Sequence, residues 1–387
     1  MWVSDVTLVL ADRVVSHGSV RLDGGRIAEI AAQPVPDGLQ AAGHTLFAGF
    51  IDMHGDMIEQ EIEPRVRVDF PVEVALAALD ARLASAGVTT AYASVSFSRG
   101  AADGGRRSYD HTSGLIRALA AARGTARVDH RIHARFDITF DDAVDVLRDL
   151  LARGCVDLVS LMDHTPGQGQ YRNLEIHVSN KAAQLGISET EARQSVTDAI
   201  ARRTKPQEAL LHTMQTVAAM CRAQGLPLAS HDDDTPRKVD LMADLGAVIA
   251  EFPVTIEAAR TAVARGLMTA MGAPNAMRGA SYSGNLSARA AHGAGVLSIL
   301  AADYHPAAIL PAIRALAAQD PDGLAGAARL ATVNPARALG LKDRGEIAVG
   351  KSADLVLAGP GDRIALTFRA GAVIYANGTV GRLVPGA

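Results

Sequence analysis

Histidine and carboxylate side chains occur directly after short apolar runs of this chain, at spacings suited to a divalent cation. The run FAGFIDMHGD carries His54 and Asp56. Residues two apart on a strand share a face, so this imidazole and this carboxylate could chelate one transition metal. A single His-x-Asp is a weak signal, because such a pair is more often hydrogen-bonded at a surface.

Three further apolar runs end in the same kinds of side chain. His164 follows VDLVSLMD, His231 follows LPLAS, and Asp303 follows GVLSILAA. Together these residues indicate a metal site far more specifically than any one of them does. Several imidazoles with carboxylates suit Zn, Mn or Fe and are too rich in nitrogen for a Mg or Ca cage. The sequence predicts a centre for one or two divalent ions, with Zn preferred over Mn or Fe.

The run HRIHARFDIT places His133, Arg135 and Asp137 on one face of a buried strand. Burying three polar side chains without partners would cost several kcal/mol each, so they need a structural reason. Two interpretations stay open at this point. Arg135 and Asp137 form a buried ion pair, or Asp137 bridges or approaches a metal.

The elements that must position these residues alternate regularly. Between residues 49 and 343, eight apolar runs alternate with segments rich in Ala, Leu, Arg and Glu. This pattern predicts an α/β fold, a (β/α)8 TIM-like barrel whose catalytic residues follow the strands. A doubly wound sheet is the alternative, but it would not need eight units. Glycines are predicted to end several of the helices: Gly87, Gly225, Gly246 and Gly266.

Both ends of the chain differ from this middle region. Residues 1–48 and 344–387 consist of short strand-like runs with turn signals and no long helical periodicity. We expect them to pair into one small β-sandwich-like domain. The barrel domain would then span residues 49–343.

Composition limits the function classes. The 387 residues carry 42 acidic and 38 basic side chains, a net charge of −4, which gives no footprint for nucleic acid or a membrane surface. Two cysteines cannot build a disulfide framework, and the N-terminus resembles no signal peptide. The prediction is a cytoplasmic protein. A homodimer fits the habits of barrel enzymes, although no segment identifies an interface.

The motifs carry a resemblance. GFIDMHGD at the first strand, histidines at later strand ends and AADY at the last strand resemble the amidohydrolase superfamily. The longer stretches HGDMIEQEIEPRVRVDFP, VSLMDHTPGQGQYRN, LASHDDDTP and MGAPNAMRGASYSGNLSA resemble the PhnM family of phosphonate metabolism. This resemblance covers nearly the whole chain.

The resemblance implies a diphosphatase that converts α-D-ribose 1-methylphosphonate 5-triphosphate to the 5-phosphate and diphosphate. It assigns catalytic roles to His231 and Asp303, with Asp303 accepting a proton from the attacking water. Ala302 and His305 depart from the family pattern around that aspartate. Asp137 stands where a relative has the longer Glu, so the number of metal ions, one or two, stays open. The implied metal ligands are His54, Asp56, Asp137, His164, His231 and Asp303.

A phosphorylated-sugar substrate needs cations at the barrel mouth, because the inferred carboxylates would repel it. The Gly/Ser-rich turn after Arg278 could also bring backbone N–H groups to phosphate oxygens. Each charge taken alone is more often simply solvated. The candidate substrate-binding residues are Arg65, Arg67, Arg172, Lys181, Arg278, Ser281 and Asn285.

Two other functions remain open. An amidohydrolase cleaving the C–N bond of an amide or cyclic amide would use the same metal site, but would not need clustered Arg and Lys at the mouth. A non-catalytic scaffold is the second alternative, and the full set of strand-end ligands argues against it.

Overall fold

The N-terminal residues form the first strands of a sheet. The computed structural model describes residues 1–65, 68–97, 109–281 and 284–378. The N-terminal strands are β1 (Trp2–Val9), β2 (Val14–Asp23), β3 (Arg26–Ala31), β4 (Leu39–Gln40) and β5 (Thr45–Ala48).

A second sheet of eight parallel strands follows, each paired with the next along the chain. Nearly every residue on these strands is buried, as expected where both faces of a parallel sheet are covered. The predicted TIM-like barrel is confirmed. Its strands are β6 (Phe50–Gly55), β7 (Val88–Phe97), β8 (Asp129–Asp137), β9 (Leu158–Met162), β10 (Leu228–His231), β11 (Ile249–Glu251), β12 (Met268–Gly272) and β13 (Ile299–Ala301).

The barrel closes between its first and last strands. Gly55 forms a parallel bridge with Asp303. The Asp303 backbone N–H donates to the His54 carbonyl at 2.9 Å, and the Asp56 N–H donates to the Asp303 carbonyl at 2.8 Å. Below this closure the interior is filled by apolar side chains, including Ile51 and Leu158, so the barrel is a packed core and not a pore.

Helices surround the barrel, and β9 is followed by three of them. Within the described ranges, none of the helices combines the length and apolarity needed to span a membrane. The helices are α1 (Ile58–Ile62), α2 (Val72–Ser85), α3 (Tyr109–Ala122), α4 (Val144–Ala152), α5 (Leu174–Leu185), α6 (Glu189–Arg203), α7 (Gln207–Gln224), α8 (Pro236–Asp244), α9 (Ile256–Ala264), α10 (Ala273–Arg278), α11 (Ala288–Gly293), α12 (Ile309–Ala317), α13 (Gly323–Arg329) and α14 (Val333–Ala338).

Local sequence signals define these helix ends. Ser188 and Glu191 form a capping box at the start of α6. Gly225 ends α7 with φ 65°, a left-handed conformation that glycine adopts without a steric penalty. The other predicted glycines also have positive φ just beyond α2, α8 and α9.

The chain ends return to the first sheet through β14 (Leu355–Ala358), β15 (Ile364–Arg369) and β16 (Ala372–Ala376). β14 pairs with β5, so both termini build one mostly antiparallel sheet. The sheet curls over its own apolar core, and the Ala353 N–H donates to the Gly25 carbonyl at 2.9 Å. The predicted pairing of both termini into one sheet is confirmed. The boundaries at residues 48/49 and 343/344 stay a prediction.

Asp80 ties α2 to the start of β8. Its buried carboxylate accepts hydrogen bonds from the N–H groups of Arg127 and Val128 and from the His130 ring, at 2.9–3.0 Å. Although burial opposes it, the His130 ring and these N–H groups lower the pKa of Asp80. The ionised carboxylate is therefore part of the folded barrel.

We expect Asp80→Ala to lower the free energy of unfolding by about 2–4 kcal/mol, because two N–H groups and an imidazole lose a charged acceptor. Urea unfolding followed by circular dichroism measures this. Asp198→Ala, on the exposed surface of α6, is the matched control and should change stability by less than about 0.5 kcal/mol. Equal stability of the two variants would contradict the structural role of Asp80.

Candidate metal centre

The strand ends bring imidazoles and carboxylates into one cavity of about 530 Å³, the principal cavity. The strand directions explain this, since all eight parallel strands end at the same face of the barrel. His54, Asp56, Arg135, His231, Asp232 and Asp303 are among its lining residues.

Two groups of potential ligands meet here. His54, His133 and Glu251 form the deeper group, with ligand atoms within 4.8 Å of one another. The other group contains His164, His231 and Asp232, whose ligand atoms also lie within 4.8 Å of one another.

Glu251 links the two groups. Its Oε2 lies 3.0 Å from His231 Nδ1 and 3.4 Å from His54 Nδ1. A carboxylate that accepts from Nδ1–H directs the other ring nitrogen of His231, Nε2, to the cavity and makes it a better ligand. The rings of His54 and His231 stack with centroids 5.5 Å apart.

Several ligand atoms in this region are buried and have no hydrogen-bond partner among the described residues. They include both ring nitrogens of His54, Oδ2 of Asp232 and Oε1 of Glu251. Buried polar atoms without partners are costly, and a cation bound within one of the two ligand groups would satisfy some of them. The donor set of imidazoles and carboxylates therefore fits a divalent transition metal.

Neighbouring charges and burial shift the pKa values of several groups in this region. Burial alone would lower the pKa of His54, but the Glu251 and Asp56 carboxylates raise it to about 10. Burial raises the pKa of Asp303 to about 6, against the opposing effect of His54. By contrast, burial and the charge of Arg135 hold the pKa of His231 well below its usual range.

Arg135 lies inside the centre. Its Nη1 donates to Asp56 Oδ1 at 2.7 Å, and its Nη2 is 3.3 Å from His231 Nε2. Although burial would raise the pKa of Asp56, Arg135 and His54 hold it below its usual range. The interpretation that Arg135 pairs with Asp137 is therefore wrong, because the Arg135 guanidinium forms its ion pair with Asp56, which follows β6.

Asp137 is not brought into the cluster. Its Oδ1 accepts from the Thr139 N–H and hydroxyl, and its Oδ2 accepts from Arg203 on α6. Asp137 is fully buried but is not among the residues lining the principal cavity. Its oxygens are occupied by these donors, which differs from the expectation that it bridges or approaches a metal.

Three non-glycine residues at strand ends adopt left-handed backbone conformations. They are Asp232 with φ 53°, Phe252 with φ 50° and Asp303 with φ 58°. Such conformations cost on the order of 1–3 kcal/mol and concentrate at functional sites. Beside Asp303, a Cβ on Gly272 would lie 2.8 Å from Asp303 Oδ2, so glycine makes room for this carboxylate.

Cationic and polar residues border two adjoining cavities. Arg278, Ser281 and Asn285 line the principal cavity. Arg172 and Lys181 line a second cavity of about 400 Å³, which shares Gln170 and Asn285 with the principal one.

The remaining predicted positions lie elsewhere. Arg65 is exposed and is not among the residues lining either cavity. Arg67 lies outside the described residues. Ala302 is buried and donates its N–H to Asp52, whereas His305 is exposed.

Sequence reasoning missed Glu251 and did not rank His133 as a ligand. Glu251 is fully buried at the end of β11, one residue before Phe252. A Glu that ends an apolar run was the available signal, because a carboxylate is almost never fully buried without a partner.

Comparisons with known proteins identify the family of the chain. The model of the amidohydrolase family matches residues 45–374. A relative from Escherichia coli (strain K12), alpha-D-ribose 1-methylphosphonate 5-triphosphate diphosphatase, is 37% identical over 367 residues, which is 92% of this chain and 95% of the relative.

Solved structures share the fold at low identity. N-acetyl-D-glucosamine-6-phosphate deacetylase from Mycobacterium smegmatis is 15% identical with a TM-score of 0.66, covering 97% of this chain and 100% of its own. 5-Methylcytosine deaminase from Klebsiella pneumoniae is 17% identical with a TM-score of 0.67, covering 97% and 98%.

We expect His54→Ala and His231→Ala to weaken binding of a divalent cation at least about tenfold, because each removes a converging ligand atom. Asp137→Asn should leave the metal content unchanged. Equilibrium dialysis against Zn²⁺ followed by elemental analysis measures both. If folded Asp137→Asn lost its metal while His231→Ala kept it, the centre would lie around Asp137 instead.

Proposed function

Because the chain belongs to the amidohydrolase family, we propose that it is a metal-dependent diphosphatase acting on α-D-ribose 1-methylphosphonate 5-triphosphate. The products would be the 5-phosphate and diphosphate. Similarity to the Escherichia coli diphosphatase over nearly the whole of both chains supports this substrate.

The cationic side chains around the two cavities are the structural observation that best supports this proposal. Arg278, Arg172 and Lys181 border the cavities, and none of them forms an ion pair with a described residue. Unpaired cations beside an acidic centre suit a polyanionic substrate. Hydrolysis of a neutral amide, the alternative in this superfamily, would leave these charges without a role.

The metal would be held by His54, Asp56, His231 and Asp303, with His164 and Asp232 beside them. When bound there, a divalent cation supplies Lewis-acid chemistry, which acidifies water and polarises a phosphoryl oxygen. We propose one or two ions with Zn as the preferred metal, and the same donor set also suits Mn or Fe.

Asp303 is the proposed proton acceptor. It borders the principal cavity, and its pKa of about 6 leaves it largely ionised at neutral pH yet basic enough to take a proton. Water attacks a phosphorus of the triphosphate, its proton passes to an Asp303 oxygen, and a bridging P–O bond breaks. The electron pair of that bond leaves with one of the two phosphate products.

Neighbouring side chains position these groups. Glu251 orients His231 through Nδ1, and Arg135 holds Asp56 in place while presenting a buried positive charge. Arg278, Ser281 and Asn285 are the proposed contacts to the phosphates near the reacting bond, where Arg278 would stabilise charge developing on the leaving group.

The predicted cytoplasmic location and homodimer remain part of the proposal. Both cysteines are free and buried, in keeping with a reducing compartment.

The function is tested by diphosphate release from α-D-ribose 1-methylphosphonate 5-triphosphate, with ATP and a cyclic amide assayed alongside. The protein is supplied in turn with Zn, Mn and Fe. We expect release from the ribosyl substrate with at least one metal. Cleavage of the amide without diphosphate release would contradict the proposed substrate.

Asp303→Asn is the control for mechanism. It should keep the circular dichroism spectrum and lower turnover by at least about 100-fold, because the amide cannot accept the proton. Turnover close to that of the unaltered protein would contradict the role of Asp303.

A further inference from the structure

None of the proposed metal ligands is among the residues lining the second cavity. It lies between the segment after β9, one side of α5 along its length and the loop around Asn285. Gln170 and Asn285 stand between it and the principal cavity, and the Asn285 amide donates to the Gln170 carbonyl at 3.4 Å. The two cavities therefore adjoin, and a ligand that extends beyond the principal cavity would meet the second one at these two residues.

The two cavities differ in the charges of their lining residues. The described lining of the principal cavity combines two arginines with Asp56, Asp232 and Asp303. The described lining of the second cavity contains Arg172 and Lys181 and no acidic residue. The second cavity therefore favours a strongly anionic group more than the principal one, because its described lining has no carboxylate to repel it.

The nearest acidic side chain on α5 is already neutralised. Glu175, in the first turn of the helix, accepts both guanidinium N–H groups of Arg193 on α6, at 2.8 and 2.6 Å. Arg172 and Lys181 form no ion pair with a described residue. Their charges are available to a ligand.

Neutral polar groups complete the cavity. His177, Asn180 and Gln184 lie along the same side of α5 as Lys181. The ring of His177 packs against Tyr171 with centroids 4.3 Å apart. Amide and imidazole donors beside two cations form a lining suited to phosphate oxygens.

We propose that the second cavity binds the terminal diphosphate group of the triphosphate substrate, held by Arg172 and Lys181, while the reacting bond lies in the principal cavity. This inference rests on the proposed function. The other end of the substrate fits the cavity less well, because a methylphosphonate ester carries a single negative charge whereas a terminal diphosphate carries several. Arg172 and Lys181 then determine specificity for a triphosphate.

The test compares Lys181→Ala and Arg172→Ala with the unaltered protein on a set of ligands. Binding is measured by calorimetry in the Asp303→Asn background with saturating metal, so that no turnover is needed. The ligands are the complete triphosphate, the corresponding 5-monophosphate product, and ribose 5-triphosphate without the methylphosphonate. Lys205→Ala is the matched control, since Lys205 is paired with Asp141 and is not among the residues lining either cavity.

We expect each cavity variant to weaken binding of both triphosphates by about tenfold or more, the effect of losing one charge-assisted contact. Binding of the monophosphate should change by less than about twofold, and Lys181→Arg should largely restore affinity. Loss of affinity for the monophosphate but not for ribose 5-triphosphate would assign the cavity to the phosphonate end and overturn the proposal. Unchanged affinity for every ligand would also overturn it.

Failure of the proposed function gives a different result. If the complete triphosphate binds with the expected dependence on Lys181 but is not hydrolysed by the protein with intact Asp303, the cavity assignment stands and the reaction does not. If neither triphosphate binds the unaltered protein, both are overturned.

Discussion

The hydrogen bonds that close the barrel also build its centre. Asp303 donates its N–H to the His54 carbonyl, and its own carbonyl accepts from the Asp56 N–H. The first and last barrel strands are thereby joined at the residues whose side chains meet in the principal cavity. The same backbone contacts therefore close the barrel and bring the candidate ligands together. The left-handed backbone of Asp303 lies at this junction.

Closure creates an electrostatic constraint. Imidazoles and carboxylates are crowded where water is largely excluded, and several of their atoms have no hydrogen-bond partner among the described residues. Arg135 supplies positive charge to this region. A divalent cation would add charge at the same point and would use the lone pairs that now lack partners. The outer cations then attract a polyanion to a centre that would otherwise repel it.

Much of this arrangement follows from periodicity. Apolar runs alternating with helical segments predicted the barrel, and the polar residues that end three of these runs predicted side chains that line the principal cavity. His54, Asp56, His231 and Asp303 meet there because strand ends of one barrel share a face. The pairing of β5 with β14 likewise follows from strand-like runs at both ends of the chain.

The partners of individual side chains could not be predicted in this way. Alternation along β8 put Arg135 and Asp137 on one face, but their partners come from other elements. Arg135 contacts Asp56 on β6, and Asp137 contacts Arg203, which reaches it from α6. The α5–α6 segment has its own small apolar core, and its placement beside the loop around Asn285 depends on packing that one sequence does not specify. The second cavity was therefore visible only in the structure.

The most direct test of the metal centre is an anomalous difference map from crystals grown with Mn²⁺, recorded near the metal edge. The account predicts a peak bounded by the side chains of His54, Asp56, His231 and Asp303. A peak at Asp137, or ordered ligand side chains around no peak at saturating metal, would contradict it.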